Sequence, residues 1–308
     1  MFRPEQYCTR GPVPYYVRGR WVWSSLLMRL RDLMTPILQW TIGLLLGIIL
    51  LKLLVLWLQP RMAFYPIPGA TPAPAPLADF TVTTSDGVDI RGWQSPIADT
   101  GPVFIYSCGN AGSLADRTDL LQSFVRAGGQ IVAYNYRGTG SSEGSPSEQG
   151  VYADAEAVYG YVRDQLGVDS SRIVLWGHSL GGAVTTELAT RRPCQGVVLE
   201  ATFRSAKVMA GRMMPILPVS WLMTYKLDNE TAVAQLDVPI FFIHGTRDPV
   251  VPIDDSEILH DLARHPFDLW RIEEAGHNDN YLVAGSEFFE RIIGFGRDVV
   301  GIEVSNHQ

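Results

Sequence analysis

The stretch Gly177-His178-Ser179-Leu180-Gly181 lies between an apolar run, 172–176, and a segment with helical character, 182–192. A serine with a glycine two residues away on each side, at a turn from strand to helix, holds its hydroxyl above the edge of a sheet. Such a turn is strained, and side chains at positions 177 and 181 would collide there. Because the pentapeptide also arises by chance, the rest of the chain decides what it means.

Apolar runs and helical segments alternate from residue 79 onward. Two short strands are predicted on either side of the turn Ser85-Asp86-Gly87, at 79–84 and 88–94. Further strands are predicted at 103–107, 131–136, 173–176, 196–199, 240–244 and 269–273, and helices at 114–127, 150–165, 182–191 and 254–262. A hairpin followed by repeated strand–helix alternation predicts one α/β domain over 79–300, with a mostly parallel sheet and helices on both faces.

Three polar residues each follow the end of a different predicted strand, namely Ser179, Asp248 and His277. Because the carboxyl ends of parallel strands meet at one edge of a sheet, we expect the three side chains to converge there. A serine hydroxyl is a poor nucleophile unless a base, oriented by an acid, removes its proton. The chain order serine, acid, histidine therefore predicts Ser179 as nucleophile, Asp248 as orienting acid and His277 as base.

Each of these residues also has a plainer interpretation. Asp248 beside Pro249 suits a turn, and His277 suits an exposed loop. Two other histidines compete as the base, but His178 lies within the turn itself and His244 lies within a strand. Order and spacing together favour the triad.

The chemistry also needs two backbone donors that bind the developing oxyanion. One is the N–H of the residue after the nucleophile, Leu180, and the other comes from the loop after the third strand, where Asn110 is the candidate. We expect no cofactor and no metal ion in this mechanism.

Four segments resemble one family, from residue 64 to about 296. They are Cys108-Gly109-Asn110-Ala111-Gly112, Tyr134-Asn135-Tyr136-Arg137-Gly138-Thr139-Gly140-Ser141-Ser142-Glu143-Gly144, Gly177-His178-Ser179-Leu180-Gly181-Gly182 and His244-Gly245-Thr246-Arg247-Asp248. The chain is similar to the membrane-anchored α/β-hydrolase-domain proteins, which include protein depalmitoylases and domains classed as serine aminopeptidases. The resemblance implies an eight-stranded α/β-hydrolase fold and an ester, thioester or amide substrate. One departure is Cys108, where the family usually has histidine.

Residues 37–58 are a nearly unbroken apolar stretch. Its 22 residues would extend about 33 Å as a helix, which is enough to cross a bilayer. A cleavable signal peptide fits less well, because the stretch is long and lacks a small-residue cleavage site behind it. Six arginines precede the stretch and Arg61 alone follows closely, which predicts a cytoplasmic arm over 1–36 and a single-pass helix. The hydrolase domain then lies in the periplasm, in a lumen or outside the cell.

The excess of acidic residues in the main domain bears on the kind of molecule that this domain binds. After Arg61, 17 basic residues face 30 acidic ones, which argues against nucleic acid as a partner of the main domain. We expect instead the membrane and an acylated or ester substrate, whether small molecule, lipid or protein. Prolines predict an extended connector over 59–78, and 301–308 is a tail. Asp154 is predicted to be a carboxylate at a helix start.

The segment 201–237 interrupts the strand–helix alternation and predicts a short lid. Its apolar residues are Met209, Met213, Met214, Ile216, Leu217, Val219, Trp221, Leu222 and Met223. Such a surface suits a greasy ligand or a membrane face, and ordinary packing of the lid explains it as well. The leading hypothesis is a membrane-anchored serine hydrolase of carboxylic esters or thioesters. The alternatives are a serine aminopeptidase-like peptidase and a non-catalytic, membrane-tethered binding module.

Overall fold

A computed structural model describes residues 16–17, 20–21, 24–215 and 219–301 of the chain. Parts of the predicted N-terminal arm, the lid residues Ile216 and Leu217, and the tail from residue 302 lie outside the described residues. The chain divides into two compact units between Leu54 and Val55.

The first unit is dominated by helix α1, Ser24–Ala63, whose last turns from Val55 belong to the second unit. Two short antiparallel strands, Tyr16–Val17 and Arg20–Trp21, precede it. Within α1 the stretch Met34–Ala63 is long and apolar enough to cross a membrane by length and composition. The helix therefore begins before the predicted span and ends after it.

The second unit is built on an eight-stranded sheet. Its strands are β1 Ala78–Thr83, β2 Asp89–Gln94, β3 Val103–Ser107, β4 Gln130–Tyr134, β5 Ile173–His178, β6 Gly196–Glu200, β7 Ile240–Gly245 and β8 Pro266–Ile272. Their spatial order is β1-β2-β4-β3-β5-β6-β7-β8. Strand β2 is antiparallel to both neighbours and the other pairs are parallel, which confirms the predicted sheet.

Helices fill the connections between these strands. They are α2 Thr118–Arg126, α3 Glu148–Gly160, α4 Leu180–Ala189, α5 Ala206–Met213, α6 Val219–Leu222, α7 Asn229–Val233, α8 Asp254–Leu262, α9 Asn280–Ala284 and α10 Ser286–Val299. Short 3₁₀ turns cover Leu114–Arg117 and Ser170–Arg172, and a π turn, Tyr161–Gln165, continues α3. The sequence predicted α2, α3, α4 and α8 but not α10.

The core is aromatic around Trp176, the residue that precedes the serine turn. Its ring lies 4.7 Å from that of Tyr106, 5.4 Å from Phe124 on α2 and 6.0 Å from Phe288 on α10. All four side chains are fully buried. Because burial of a large apolar side chain is worth roughly 1.5–3 kcal/mol, this cluster fixes β5 and so the position of the turn that follows it.

The segment after α1 is bound to loops at the carboxyl edge of the sheet. Tyr65–Pro66 pairs in parallel with Ala111–Gly112, and the Tyr65 N–H donates to the Asn110 carbonyl at 2.9 Å. A little further on, the Gly140 N–H donates to the Ile67 carbonyl at 2.8 Å. Part of the predicted connector is therefore joined to the domain by backbone hydrogen bonds.

The prediction that Asp154 lies at a helix start is wrong. Helix α3 begins at Glu148, where the Ser147 hydroxyl caps it, and Asp154 is buried further along. Its carboxylate accepts from the Arg137 N–H and Nε–H, each at 2.8 Å, and the same guanidinium binds Asp86 at 2.7 Å. Burial raises the pKa of Asp154 to about 6, against the lowering effect of Arg137. This buried ion pair holds the loop between β4 and α3.

Candidate active site

Ser179 occupies a strained turn between β5 and α4. Its φ of 54° and ψ of −117° lie in a region that residues with side chains rarely adopt. A Cβ on Gly177 would lie 2.6 Å from the Gly181 carbonyl carbon, and one on Gly181 would lie 2.6 Å from the Cys108 oxygen. The expected collisions at both glycines are confirmed, because the chain passes too close to itself for any side chain.

Backbone and side-chain hydrogen bonds from β6 and the loop after it hold this turn. The Ser179 N–H donates to the Glu200 carbonyl at 2.8 Å, and the Thr202 hydroxyl donates to the Ser179 carbonyl at 2.7 Å. The Glu200 carboxylate is itself buried, where it accepts from Trp176 Nε1 at 3.2 Å and Asn280 Nδ2 at 3.1 Å. Burial raises its pKa. Sequence reasoning missed Glu200 and Thr202, because neither belongs to a motif.

The structure brings Ser179, His277 and Asp248 into one hydrogen-bonded chain. The Ser179 Oγ lies 3.0 Å from His277 Nε2, and His277 Nδ1 lies 2.6 Å from Asp248 Oδ2. Asp248 follows β7 and His277 follows β8, so both reach the site from the carboxyl ends of their strands. These distances match those of a nucleophile, a base and an orienting acid.

The carboxylate of Asp248 is fully buried and accepts hydrogen bonds on both oxygens. Its Oδ1 accepts from the N–H groups of Val250 at 2.8 Å and Val251 at 2.9 Å, and its Oδ2 lies 3.2 Å from His244 Nε2 as well as near His277. Burial opposes ionisation, but the hydrogen bonds from His244, His277 and Val251 outweigh it and hold the pKa of Asp248 well below its usual range. An ionised Asp248 requires the proton of His277 on Nδ1, which leaves Nε2 free to accept from Ser179.

His244 lies within β7 and supports the acid rather than acting as the base. Its Nε2 lies 2.9 Å from the Val251 carbonyl in addition to its contact with Asp248, so this nitrogen carries a proton. Its Nδ1 lies 2.6 Å from the Ser256 hydroxyl. The sequence identified His244 only as a competing base. Its contact with the acid depends on a turn that brings position 248 back onto position 244.

His178 is turned toward the backbone of the candidate base. Its Nε2 lies 3.0 Å from the His277 carbonyl oxygen, so Nε2 donates and positions the loop that carries His277. Burial, followed by the charges of Arg117 and His277, holds the pKa of His178 well below its usual value. The other ring nitrogen, Nδ1, is buried and has no hydrogen-bond partner among the described residues. Neither nitrogen of His178 therefore contacts the Ser179 hydroxyl, and His178 is not the base.

The two candidate oxyanion donors come from the start of α4 and the loop after β3. Leu180 is the first residue of α4, where backbone N–H groups have no partner within the helix. Gly109 lies against the turn, because a Cβ there would be 3.5 Å from Ser179 Cβ and 3.1 Å from His178 Nδ1. The adjacent Asn110 is therefore beside the serine. The role of both N–H groups stays a prediction.

Cys108, the departure from the family resemblance noted in the sequence, lies in the loop after β3. Its thiol is buried 3.9 Å from the Tyr134 carbonyl, and its own carbonyl accepts from the Tyr136 hydroxyl at 3.0 Å. Burial raises the pKa of this thiol to about 11. The loop is therefore oriented by backbone contacts with neighbouring side chains, and the thiol is inert at neutral pH.

Comparisons with known proteins agree with this geometry. A family model described as the alpha/beta hydrolase fold matches residues 101–226. The alpha/beta hydrolase domain-containing protein WAV2 of Arabidopsis thaliana is 30% identical over 269 residues, covering 77% of this chain and 87% of WAV2. This chain belongs to the α/β-hydrolase family. A Saccharomyces cerevisiae relative, the membrane protein YNL320W, is 31% identical over 219 residues, which cover 68% of this chain and 76% of the yeast protein.

A solved α/β-hydrolase structure shows the same fold. The Pyrococcus furiosus esterase Pf2001 aligns with a TM-score of 0.64 at 19% identity, over 77% of this chain and 99% of the esterase. Fold and family together support a hydrolase, and the membrane-anchored group named from the sequence is consistent with the yeast relative.

Proposed function

We propose that this α/β-hydrolase is a membrane-anchored serine hydrolase that cleaves carboxylic ester or thioester bonds. The observation that carries the proposal is the hydrogen-bonded chain from Ser179 Oγ through His277 to Asp248, with the serine held in a strained turn. The esterase Pf2001 shares the fold and supports the class of bond.

The first half of the reaction forms an acyl-enzyme. His277 Nε2 takes the proton of Ser179 as Oγ attacks the carbonyl carbon, and the carbonyl oxygen gains the negative charge. The N–H groups of Leu180 and Asn110 bind that oxyanion. The tetrahedral intermediate collapses when the imidazolium returns the proton to the leaving alcohol or thiol. The buried Asp248 stabilises the imidazolium throughout.

The second half repeats these steps with water. His277 removes a proton from a water molecule whose oxygen attacks the acyl carbon, and Ser179 leaves as the alcohol after it regains a proton. The products are a carboxylic acid and the free enzyme. Every proton that moves passes through His277 Nε2, so the tautomer imposed by Asp248 governs both halves.

Helix α1 supports the membrane part of the proposal. Its apolar stretch Met34–Ala63 has the length of a span, and the yeast relative is named a membrane protein. The arginines before the stretch favour a cytoplasmic N-terminus and a hydrolase domain on the opposite side. Location at a membrane favours lipidic or acylated substrates.

A fluorophosphonate probe tests the nucleophile. The wild-type chain should be labelled and Ser179→Ala should not, whereas Ser145→Ala, which removes an exposed serine of the β4–α3 loop, should be labelled normally. Labelling of Ser179→Ala, or none of the wild type, would contradict the assignment and favour a binding module.

The bond class is tested with a matched substrate series. Aliphatic p-nitrophenyl esters, the corresponding thioesters and aminoacyl amides are compared by kcat/KM. Faster cleavage of the amides than of the esters would replace the proposal with a peptidase. For orientation, a reporter enzyme fused after residue 308 should be active only on the non-cytoplasmic side.

A further inference from the structure

The lid exposes large apolar side chains to solvent. Trp221 on α6 is 90% exposed and Met213 at the end of α5 is 61% exposed, and the two helices pack against each other. A tryptophan that is so exposed has no packing role within its own domain. Tryptophan is the side chain most enriched at the boundary between lipid and water.

The lid is fastened to the last turns of α1. Gln59 Oε1 accepts from the Thr224 N–H at 2.9 Å, and its Nε2 donates to the Thr224 hydroxyl at 2.7 Å. The ring of Phe64 meets that of Tyr225 edge to face at 6.0 Å between centroids, and both rings are buried. All of these residues belong to the second unit, so the contact is part of the hydrolase domain itself.

These contacts place Trp221 near the end of the predicted span. Gln59 follows directly on Leu58, the last residue of the stretch predicted to cross the bilayer. Thr224 is within hydrogen-bond distance of Gln59, and Trp221 is three residues from Thr224 along the chain. Three residues of extended chain span at most about 11 Å. This distance is comparable to the thickness of one interfacial layer of the bilayer plus the length of one side chain, so the Trp221 side chain can reach that layer.

Charge allows the same approach. The lid, 201–237, has four basic and three acidic residues, whereas the rest of the chain after Arg61 has 13 basic and 27 acidic residues. Lys207 and Lys226 of the lid are exposed. Anionic lipid headgroups that would repel most of the domain would therefore accept this face.

We propose that the lid surface formed by Met213 and Trp221 inserts into the interfacial layer of the phospholipid bilayer beside the end of α1. The inference rests on the membrane anchoring proposed above. It deepens that proposal by naming the substrate class, an acyl chain that resides in the bilayer and belongs to a lipid or an acylated protein.

The depth of position 221 tests the surface directly. The full chain carrying Cys8→Ser and Trp221→Cys is spin-labelled in nanodiscs of phosphatidylcholine and phosphatidylglycerol; the other two cysteines are buried. The matched control is a label at Phe267, 48% exposed at the start of β8, the edge of the sheet opposite the triad. We expect the 221 label to collide with oxygen rather than with a water-soluble nickel chelate, and the 267 label to do the reverse. Equal access of the chelate to both labels would overturn the inference.

A comparison of hydrolysis rates on two substrates tests the substrate class. Trp221→Ala should lower hydrolysis of 4-methylumbelliferyl palmitate held in the nanodisc by about tenfold, because one interfacial aromatic contact is lost. Hydrolysis of soluble p-nitrophenyl butyrate should not change, and Phe267→Ala should change neither rate. Equal losses on both substrates, or none on either, would contradict a membrane-facing lid.

Two controls separate this inference from the proposals beneath it. Extraction of the chain by alkaline carbonate would refute the anchoring, and loss of fluorophosphonate labelling would refute the serine mechanism. A chain that stays in the membrane and is labelled, but whose position 221 is in water, refutes the lid inference alone.

Discussion

Substitution of Gly181 by alanine gives a sharp test of how the serine turn is built. Gly181 lies in the first turn of α4, and a Cβ there would overlap the Ser107 carbonyl oxygen and lie 2.6 Å from the Cys108 oxygen. Ordinary contact begins at 3.4 Å. Because both oxygens belong to the backbone of β3 and its loop, no side-chain rotation relieves the overlap. The start of α4 must move away from β3 by about 1 Å.

That displacement reaches the nucleophile, because Ser179 and Leu180 immediately precede Gly181. The 3.0 Å contact between Ser179 Oγ and His277 Nε2 would lengthen, and the two candidate oxyanion donors would be displaced. A misplacement of about 1 Å lowers catalysis by about 100-fold, equivalent to about 2.7 kcal/mol in the barrier. Overpacking should also lower the free energy of unfolding by about 1–3 kcal/mol.

The assay is kcat/KM for p-nitrophenyl butyrate together with thermal unfolding. The control is Gly160→Ala in α3, where a Cβ would have nothing within 4 Å. That variant should keep full activity and gain about 0.5–1 kcal/mol of stability, since alanine favours helix more than glycine does. A Gly181→Ala chain with activity within about threefold of the wild type and an unchanged unfolding temperature would refute the packing argument.

Three further predictions follow from buried groups. Asp248→Asn should lower kcat/KM by about 10⁴-fold, because the amide no longer enforces the Nδ1–H tautomer of His277; a smaller loss than about tenfold would contradict that role. Arg137→Met leaves Asp154 buried and unpaired, and burial already raises the pKa of Asp154 from 3.8 to about 6. A raised carboxyl pKa means that stability falls as pH rises, so the destabilisation measured by urea unfolding should be about 3–5 kcal/mol at pH 8 and clearly less at pH 5. Equal destabilisation by Arg137→Met at pH 8 and pH 5 would contradict this role of the Asp154 carboxylate. Cys108→Ala should keep activity within about threefold, since the oxyanion donors are backbone groups, and iodoacetamide should leave the wild type active; inactivation would show an accessible thiol.

The fold was predictable because its signals are local and repeated. The eight strands of the sheet and the turn Ser85-Asp86-Gly87 each follow from a few adjacent residues, whereas the strand order depends on contacts between segments that are distant in sequence. Helix α10 was missed although its apolar residues recur at helical spacing and are buried, because Gly294 and Gly296 lower the helix propensity of its second half. Helix α1 extends beyond the predicted span 37–58 at both ends, because that prediction marked only the apolar stretch and the flanking residues continue the helix.

The three catalytic candidates were predictable for the same reason, as each lies within about five residues of the carboxyl end of a strand. The supporting residues were not. His244 contacts Asp248 only because the turn after β7 folds back, and His178 contacts the His277 carbonyl across two strands. Asp154 was misplaced because a carboxylate near a helix start and one buried against Arg137 look alike in sequence. Such pairings depend on tertiary geometry, which one-dimensional spacing does not encode.

The hydrogen bond from the Tyr65 N–H to the Asn110 carbonyl has a consequence for any soluble form of this enzyme. A fragment that starts beyond residue 70 would lack the short strand Tyr65–Pro66, which pairs with Ala111–Gly112. This fragment would retain its core, yet the loop that carries Asn110 would lose its partner. Such a fragment should therefore hydrolyse esters more slowly than a fragment that begins at Val55, which keeps the pairing.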